Sequence, residues 1–281
     1  MSNASIDWIH SRLKFGIKPG LSRIIYLLEQ LDNPQNKIKT VHVAGTNGKG
    51  STVTFLSNIL QQYGFTVGTF TSPYIEIFNE RIAVNGRYIS DEELNRIVGV
   101  IKPLVLQMDE DPDLVNITEF EILTAIGYYY FAEQAVDIAL IEVGLGGLYD
   151  STNVITPLVS AITTIGLDHQ DILGDTLAKI ASEKAGIIKS GVPVVVGNRQ
   201  GVPEEAYEVI AAVAHEKDAP IVHPESGQTF DLNLHGQYQQ DNAALALKIF
   251  ESLAEKLSLT LDPEKIKKGL KQAFWPARME D

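Results

Sequence analysis

The junction at residues 41–51, VHVAGTNGKGS, limits what this chain can fold into. An apolar run ends at Ala44, a glycine-rich loop follows, and a helical pattern runs over 51–63. Glycine is entropically costly, so Gly45, Gly48 and Gly50 imply that something needs bare backbone there. Amides of a loop between a buried strand and a helix converge on a phosphate, helped by the helix N-terminus. In such a loop, Gly45-Thr46-Asn47-Gly48-Lys49-Gly50-Ser51, Lys49 can neutralise β/γ-phosphate charge and the Ser51 hydroxyl can reach the phosphate or its Mg²⁺. Gly50 separates the lysine from the serine, which is not the commonest phosphate-loop spacing. The plainer alternative is a glycine-rich turn without chemistry.

The rest of the chain supplies the frame such a loop needs. Runs at 39–44, 64–70, 136–143, 157–165 and 192–196 read as strands, the last three apolar enough to be buried on both faces. Helical patterns cover 5–31, 90–106, 118–134, 176–187, 203–217, 239–257 and 263–273. In the second of these, Ser90 and Glu93 are placed for a reciprocal capping box. Residues 221–222 and the alternating 229–234 suggest a small additional β region near 220–236. Strands alternating with helices predict an α/β domain over 1–281 with a mostly parallel sheet.

Composition narrows the function. The net charge is −13 over 281 residues, with no basic stripe, which argues against nucleic acid or an anionic membrane as partner. There is no cysteine, so disulfides and thiolate metal sites are excluded. The start MSNASIDWIHSRLKFG lacks a signal-type apolar core, and no 18 apolar residues run together. A cytoplasmic monomer is the expectation.

Three more residues carry candidate chemistry. Glu142 closes a buried strand, at the sheet edge where ligands of open α/β proteins collect. A metal is one partner for such a carboxylate, and a solvated strand end is the other reading. His169, in GLDHQ, follows the next buried strand and falls on the same edge. Lys184, in SEKAG, reads locally as a solvated helix lysine.

In order along the chain, GTNGKGS, FTSPYIEIFNERI, IEVGLGG with DSTN, LDHQDILG and SEKAGIIK resemble folylpolyglutamate synthase, of the Mur-ligase superfamily, whose bacterial members often double as dihydrofolate synthase. The resemblance implies a P-loop NTPase-like Mur-ligase domain that uses ATP to make an acyl phosphate, which the amine of L-glutamate then attacks. The acceptor would be a folate or dihydropteroate. It implies Lys49, His169 and Lys184 as catalytic residues. Gly45 to Ser51, Gln239, Asn242 and Arg278 would bind nucleotide. Ser72, Glu142 and His169 would hold two Mg²⁺ ions, and Lys184 would be carbamylated. Asn79, Arg81, Asp150 and Ser151 would form the folate side. Tyr238 stands where the family usually has histidine, Ala277 where glycine is usual, and Leu148 where arginine is common. The family's C-terminal, glutamate-binding domain has no counterpart in these 281 residues. Another Mur-type amide ligase, and a nucleotide-binding fragment inactive alone, are the competing readings.

Overall fold

Strands without a polar face must be covered on both sides, and the apolar runs are used that way. The computed structural model describes residues 3–274. In chain order the elements are α1 (Ala4–His10), α2 (Ser22–Gln30), β1 (Thr40–Ala44), α3 (Lys49–Gln62), β2 (Val67–Phe70), β3 (Ile82–Val84), β4 (Arg87–Tyr88), α4 (Asp91–Met108), α5 (Glu119–Glu133) and β5 (Ile138–Glu142). There follow β6 (Val159–Ile162), α6 (Gln170–Leu173), α7 (Leu177–Ala185), β7 (Val194–Val196), α8 (Glu204–Glu216), β8 (Ile221–Val222), α9 (Tyr238–Leu257) and α10 (Pro263–Gln272). Among the described residues the strands form one sheet, in the order β4-β3-β2-β5-β1-β6-β7-β8. From β2 to β8 every neighbouring pair is parallel, whereas β3 and β4 add an antiparallel edge.

Side chains alternate across this sheet, so each strand feeds two cores. Val41, Val43, Leu140, Val159 and Val195 face α3, α9 and α10, where they meet Phe55, Ile59, Ile249 and Phe250. Ala139 and Ile141 turn to the other face, against α2, α4 and α5. On that same side Ile162, Val194 and Val196 pack on α7 and α8. Burial of Phe55, Leu56, Ile59 and Leu60 stabilises by about 1.5–3 kcal/mol per side chain and fixes α3 behind the glycine loop.

The strand order places the site. β1 lies between β5 and β6, although neither neighbours it in sequence. Val43 pairs with Glu142, and Ala44 with Ile162. The carboxyl ends of β1, β5 and β6 therefore emerge together where the order changes direction, the usual place for a ligand crevice in open α/β sheets.

Several expectations need correction. The pattern over 5–31 is not one helix. It breaks across residues 11–21, where Gly16 (φ 62°) and Gly20 (φ 121°) take backbone that other residues rarely adopt. Residues 229–234 form no strand. Phe230, Leu232 and Leu234 still point into the core, but the Gln240 side-chain amide bonds both the Phe230 N–H and its carbonyl in place of a neighbouring strand. β8 simply extends the main sheet. The Ser90 box is half built. Ser90 accepts from Glu93 N, but the Glu93 carboxylate turns to Arg96. β3 and β4 are strands additional to those expected, joined as a hairpin through Asn85-Gly86, both at positive φ.

β1 also carries a fully buried His42, whose Nε2 lies 2.8 Å from Thr152 Oγ1. Burial, then the Lys189 charge, lowers its pKa to about 3. The folded value lies below the unfolded one, so protons favour the unfolded chain. This contribution to stability is complete above about pH 6.5 and is lost as the pH falls toward 3, at about 1.4 kcal/mol per pH unit. Urea unfolding between pH 7 and pH 5 should show a steeper loss of stability for the native chain than for His42→Gln. Parallel curves would rule out this histidine as a source of acid lability.

Candidate active site

Gly45 turns the chain away from β1 at φ 149°, and there is no room there for a side chain. A Cβ on Gly45 would lie 1.8 Å from Thr163 Oγ1, and one on Gly48 2.3 Å from Asn242 Oδ1. The glycines thus let the loop pass between β6 and α9. Thr163 and Thr164, just past β6, then brace it. Thr163 Oγ1 donates to Asn47 O at 2.5 Å, Asn47 N donates to Thr164 Oγ1 at 2.9 Å, and Thr46 N donates to Thr164 O at 2.8 Å. Neither threonine was singled out from sequence, because a brace made by a different strand leaves no local pattern.

Two lysines converge on this loop. Lys49 Nζ donates to Gly45 O at 3.0 Å, and Lys184 Nζ reaches the same oxygen at 3.1 Å from α7. Lys184 is only 3 % exposed, so the solvated-lysine reading of it is wrong. Burial first, and the Lys49 charge second, bring its pKa down to about 8. Glu142 is buried at the end of β5, 4.0 Å from Lys49 Nζ, and accepts from Ser72 N at 3.4 Å. Ser51 Oγ is buried without a hydrogen-bond partner among the described residues.

These groups line a cavity of about 750 Å³. Residues 45–51, Ser72, Glu142, His169, Lys184 and Asn242 all reach it. So do Asn198, Tyr238 and Asp241, which sequence reasoning did not propose as contacts. Asn198 Nδ2 donates to Asp241 Oδ1 at 2.7 Å, tying the β7 end to α9. Gln239 does not line the cavity. It is buried behind Asn242, accepting from Asn242 Nδ2 at 2.9 Å. Arg278 lies outside the described residues. His169 stands at φ 46° with its side chain 54 % exposed, and Asp168 is 3.6 Å from its Nε2.

A second cleft, of about 360 Å³, opens beside the first. Ser72, Pro73, Gly144, Leu145 and His169 line both. Its other walls include residues 16–20, Phe120, Tyr149, Ile172 and Leu173. Arg81, Asp150 and Ser151 reach it, but Asn79 does not. Asn79 Nδ2 is spent on Ile89 O and Asp91 Oδ1. Arg81 sits over the Tyr74 ring, 5.1 Å from its centroid, and burial lowers its pKa. Burial raises the pKa of Asp150, opposed by bonds from Thr152 and Leu145 N, and these bonds fold the 144–153 loop on itself. That loop is clamped to α7: Leu148 N donates to Glu183 O, and Asn153 Nδ2 donates to Leu148 O and Gly186 O. An Arg23–Glu121 ion pair fixes the opposite wall. Arg23 also donates to Lys18 O, while Glu121 completes a capping box with Thr118 at the start of α5.

The sequence and the fold recur in known proteins. The Mur ligase middle domain matches residues 43–207. The dihydrofolate synthase/folylpolyglutamate synthase of Bacillus subtilis is 46 % identical over 299 aligned positions, covering 98 % of this chain and 69 % of that protein. The folylpolyglutamate synthase of Lacticaseibacillus casei is 40 % identical, with the same two coverages. A solved FPGS–AMPPCP–folate complex superimposes with a TM-score of 0.90 at 37 % identity, over 100 % of this chain and 74 % of that one. The apo form of L. casei FPGS does so with 0.91 at 38 %, again over 100 % and 74 %. The chain belongs to the folylpolyglutamate synthase/dihydrofolate synthase family of Mur ligases.

Proposed function

We propose that the larger cavity binds ATP, that the smaller cleft binds a folate or dihydropteroate, and that L-glutamate is joined to the bound carboxylate through an acyl phosphate. The observation that carries this reading is the wall the two cavities share, Ser72, Pro73, Gly144, Leu145 and His169. A carboxylate in one and a terminal phosphate in the other would meet there. In this scheme the loop amides and Lys49 hold the phosphates, and Arg81 faces the acyl end of the folate. Asp150 and Ser151 shape the folate wall. Asn242 and the groups around Asp241 face the nucleoside end, with Gln239, and in our reading Arg278, in support. The work is positioning and charge neutralisation, with no protein nucleophile.

The residues fit a hard cation. Ser51 Oγ is buried and unpartnered, Glu142 is only 4 % exposed, and Ser72 lies beside it. No group of three or more histidine and acidic side chains suited to a metal occurs among the described residues. That suits Mg²⁺, which typically takes one or two carboxylates and completes its shell with water and substrate phosphates. We assign the first Mg²⁺ to Ser51, Ser72 and Glu142, and a second to His169 with a carbamylated Lys184. When bound, the ions would offset the negative charge gathered between triphosphate and acyl group. Carbamylation needs a neutral amine that attacks CO₂ and releases a proton. A Lys184 pKa near 8 leaves an appreciable neutral fraction at pH 7–8. The relatives are longer than this chain, and in their additional length we place glutamate binding and the cover over ATP. No helix among the described residues is long and apolar enough to cross a membrane; a cytoplasmic monomer is part of our proposal.

The fate of ATP tests this reading. ADP release that requires a folate supports it, whereas release that requires a UDP-sugar peptide would make the protein a cell-wall ligase. Lys49→Ala should weaken nucleotide binding by on the order of 2–4 kcal/mol, seen by calorimetry as a loss of roughly 30- to 1,000-fold. Unchanged affinity in the folded variant would remove Lys49 from the phosphate site. With ¹³C-bicarbonate and Mg²⁺, the native protein should show a carbamate resonance that Lys184→Ala lacks. A signal that persists in the variant, or never forms in the native protein, would end the carbamate assignment.

A further inference from the structure

The smaller cleft contains three carboxylates, and two are already committed. Glu121 accepts from Arg23, from Thr118 N and from Thr118 Oγ1. Asp150 accepts from Leu145 N and from Thr152. Glu183 is different. Its backbone carbonyl is held by Leu148 N and Gly186 N, which fixes the residue, yet its carboxylate has no hydrogen-bond or ion-pair partner among the described residues. The carboxylate lies against Gly146, at φ 68°. A Cβ there would stand 3.5 Å from Glu183 Oε2 and 2.9 Å from Leu173 Cδ2. A bare glycine and a leucine methyl thus frame a half-buried acceptor that no protein donor among the described residues meets.

Besides polar groups such as Lys18, Arg81 and Ser151, the cleft has an apolar wall. Phe120, Tyr149, Ile172 and Leu173 offer flat or apolar faces that suit a ring but give it no orientation. A partly desolvated carboxylate on such a wall selects for ligands that present N–H donors, and most strongly for two parallel donors that engage both oxygens. Glu183 does not line the nucleotide cavity, so the groups reacting at the shared wall lie elsewhere.

Resting on the folate reading above, we propose that Glu183 is a specificity-determining residue of this cleft. It takes the paired N–H donors of the amino-pyrimidinone edge of a pterin ring on its two carboxylate oxygens. The apolar faces hold the ring, and Glu183 decides which ring is held and which way round. A glutamine at this position keeps the size and one acceptor but sets an NH₂ group against a ring N–H. The expected result is selective loss of donor-bearing rings.

Calorimetric titration with pteroate, and with a pteroate analogue carrying methyl in place of the 2-amino group, tests this. The native protein should bind pteroate at least tenfold more tightly than the analogue. Glu183→Gln should weaken pteroate at least tenfold, leave the analogue within about twofold, and so nearly erase the difference between them. Glu183→Asp, which keeps the charge on a shorter stem, should fall between, and melting curves confirm that both variants are folded. Equal weakening of both ligands would mean that Glu183 only supports the wall, and unchanged pteroate affinity would mean that it does not touch the ring. Either outcome overturns the proposal and leaves the folate reading standing. Failure of the native protein to bind pteroate at all would overturn the folate reading together with it.

Discussion

The nucleotide end of this protein depends on how closely β1 and β6 run side by side and what happens just beyond them. Ala44 pairs with Ile162, and one residue later a Cβ on Gly45 would collide with the Thr163 side chain. Because glycine stands there, Thr163 and Thr164 can hold Thr46 and Asn47 from the side. The shape of the loop is therefore set by contacts within the protein. Preorganised amides need not be gathered at the moment of binding, which is what makes such loops effective toward phosphate. Glu142 and Ser72 then fall beside Lys49 by strand register alone, since Val43 pairs with Glu142 and Phe70 with Ile141.

The central strands and the long helices were legible because their signal is local. The apolar runs at 136–143, 157–165 and 192–196 are short, rich in Val, Ile and Ala and bounded by turn residues, which suits buried strands, and helical spacing in 239–257 repeats for five turns. The glycine loop, Glu142 and His169 could be placed on one edge from strand ends alone. What was not legible depends on distant partners. Lys184 looks like any helix lysine until α7 brings it under Gly45. Residues 229–234 look like a strand because their alternation is real, but alternation reports which side is buried and says nothing about whether another strand lies alongside. The β3–β4 hairpin does carry a local signal, the Asn85-Gly86 pair at its turn.

The 144–153 loop links the two cavities mechanically. Gly144 and Leu145 form part of both walls, Asp150 folds the loop, and Asn153 and Leu148 bind it to the end of α7. α7 carries Lys184 toward one cavity and Glu183 toward the other. A Cβ on Gly147 would lie 2.6 Å from Glu183 O, and one on Gly186 2.4 Å from Leu148 Cα, so the loop and the helix touch backbone to backbone. At that distance neither element can shift without the other, and the lysine keeps its registration with the shared wall.

The Lys49 ammonium on the Gly45 carbonyl has a further consequence. The chain as a whole carries −13, so a polyanion approaching from afar meets a repulsive field. Attraction begins only near the mouth of the cavity, within about one Debye length, ~8–10 Å in ordinary buffers. Added salt weakens the distant repulsion more than the close contacts, which are partly shielded from solvent. Moderate salt should therefore speed capture of a nucleotide here, opposite to its effect on proteins that draw anions in with a broadly basic surface.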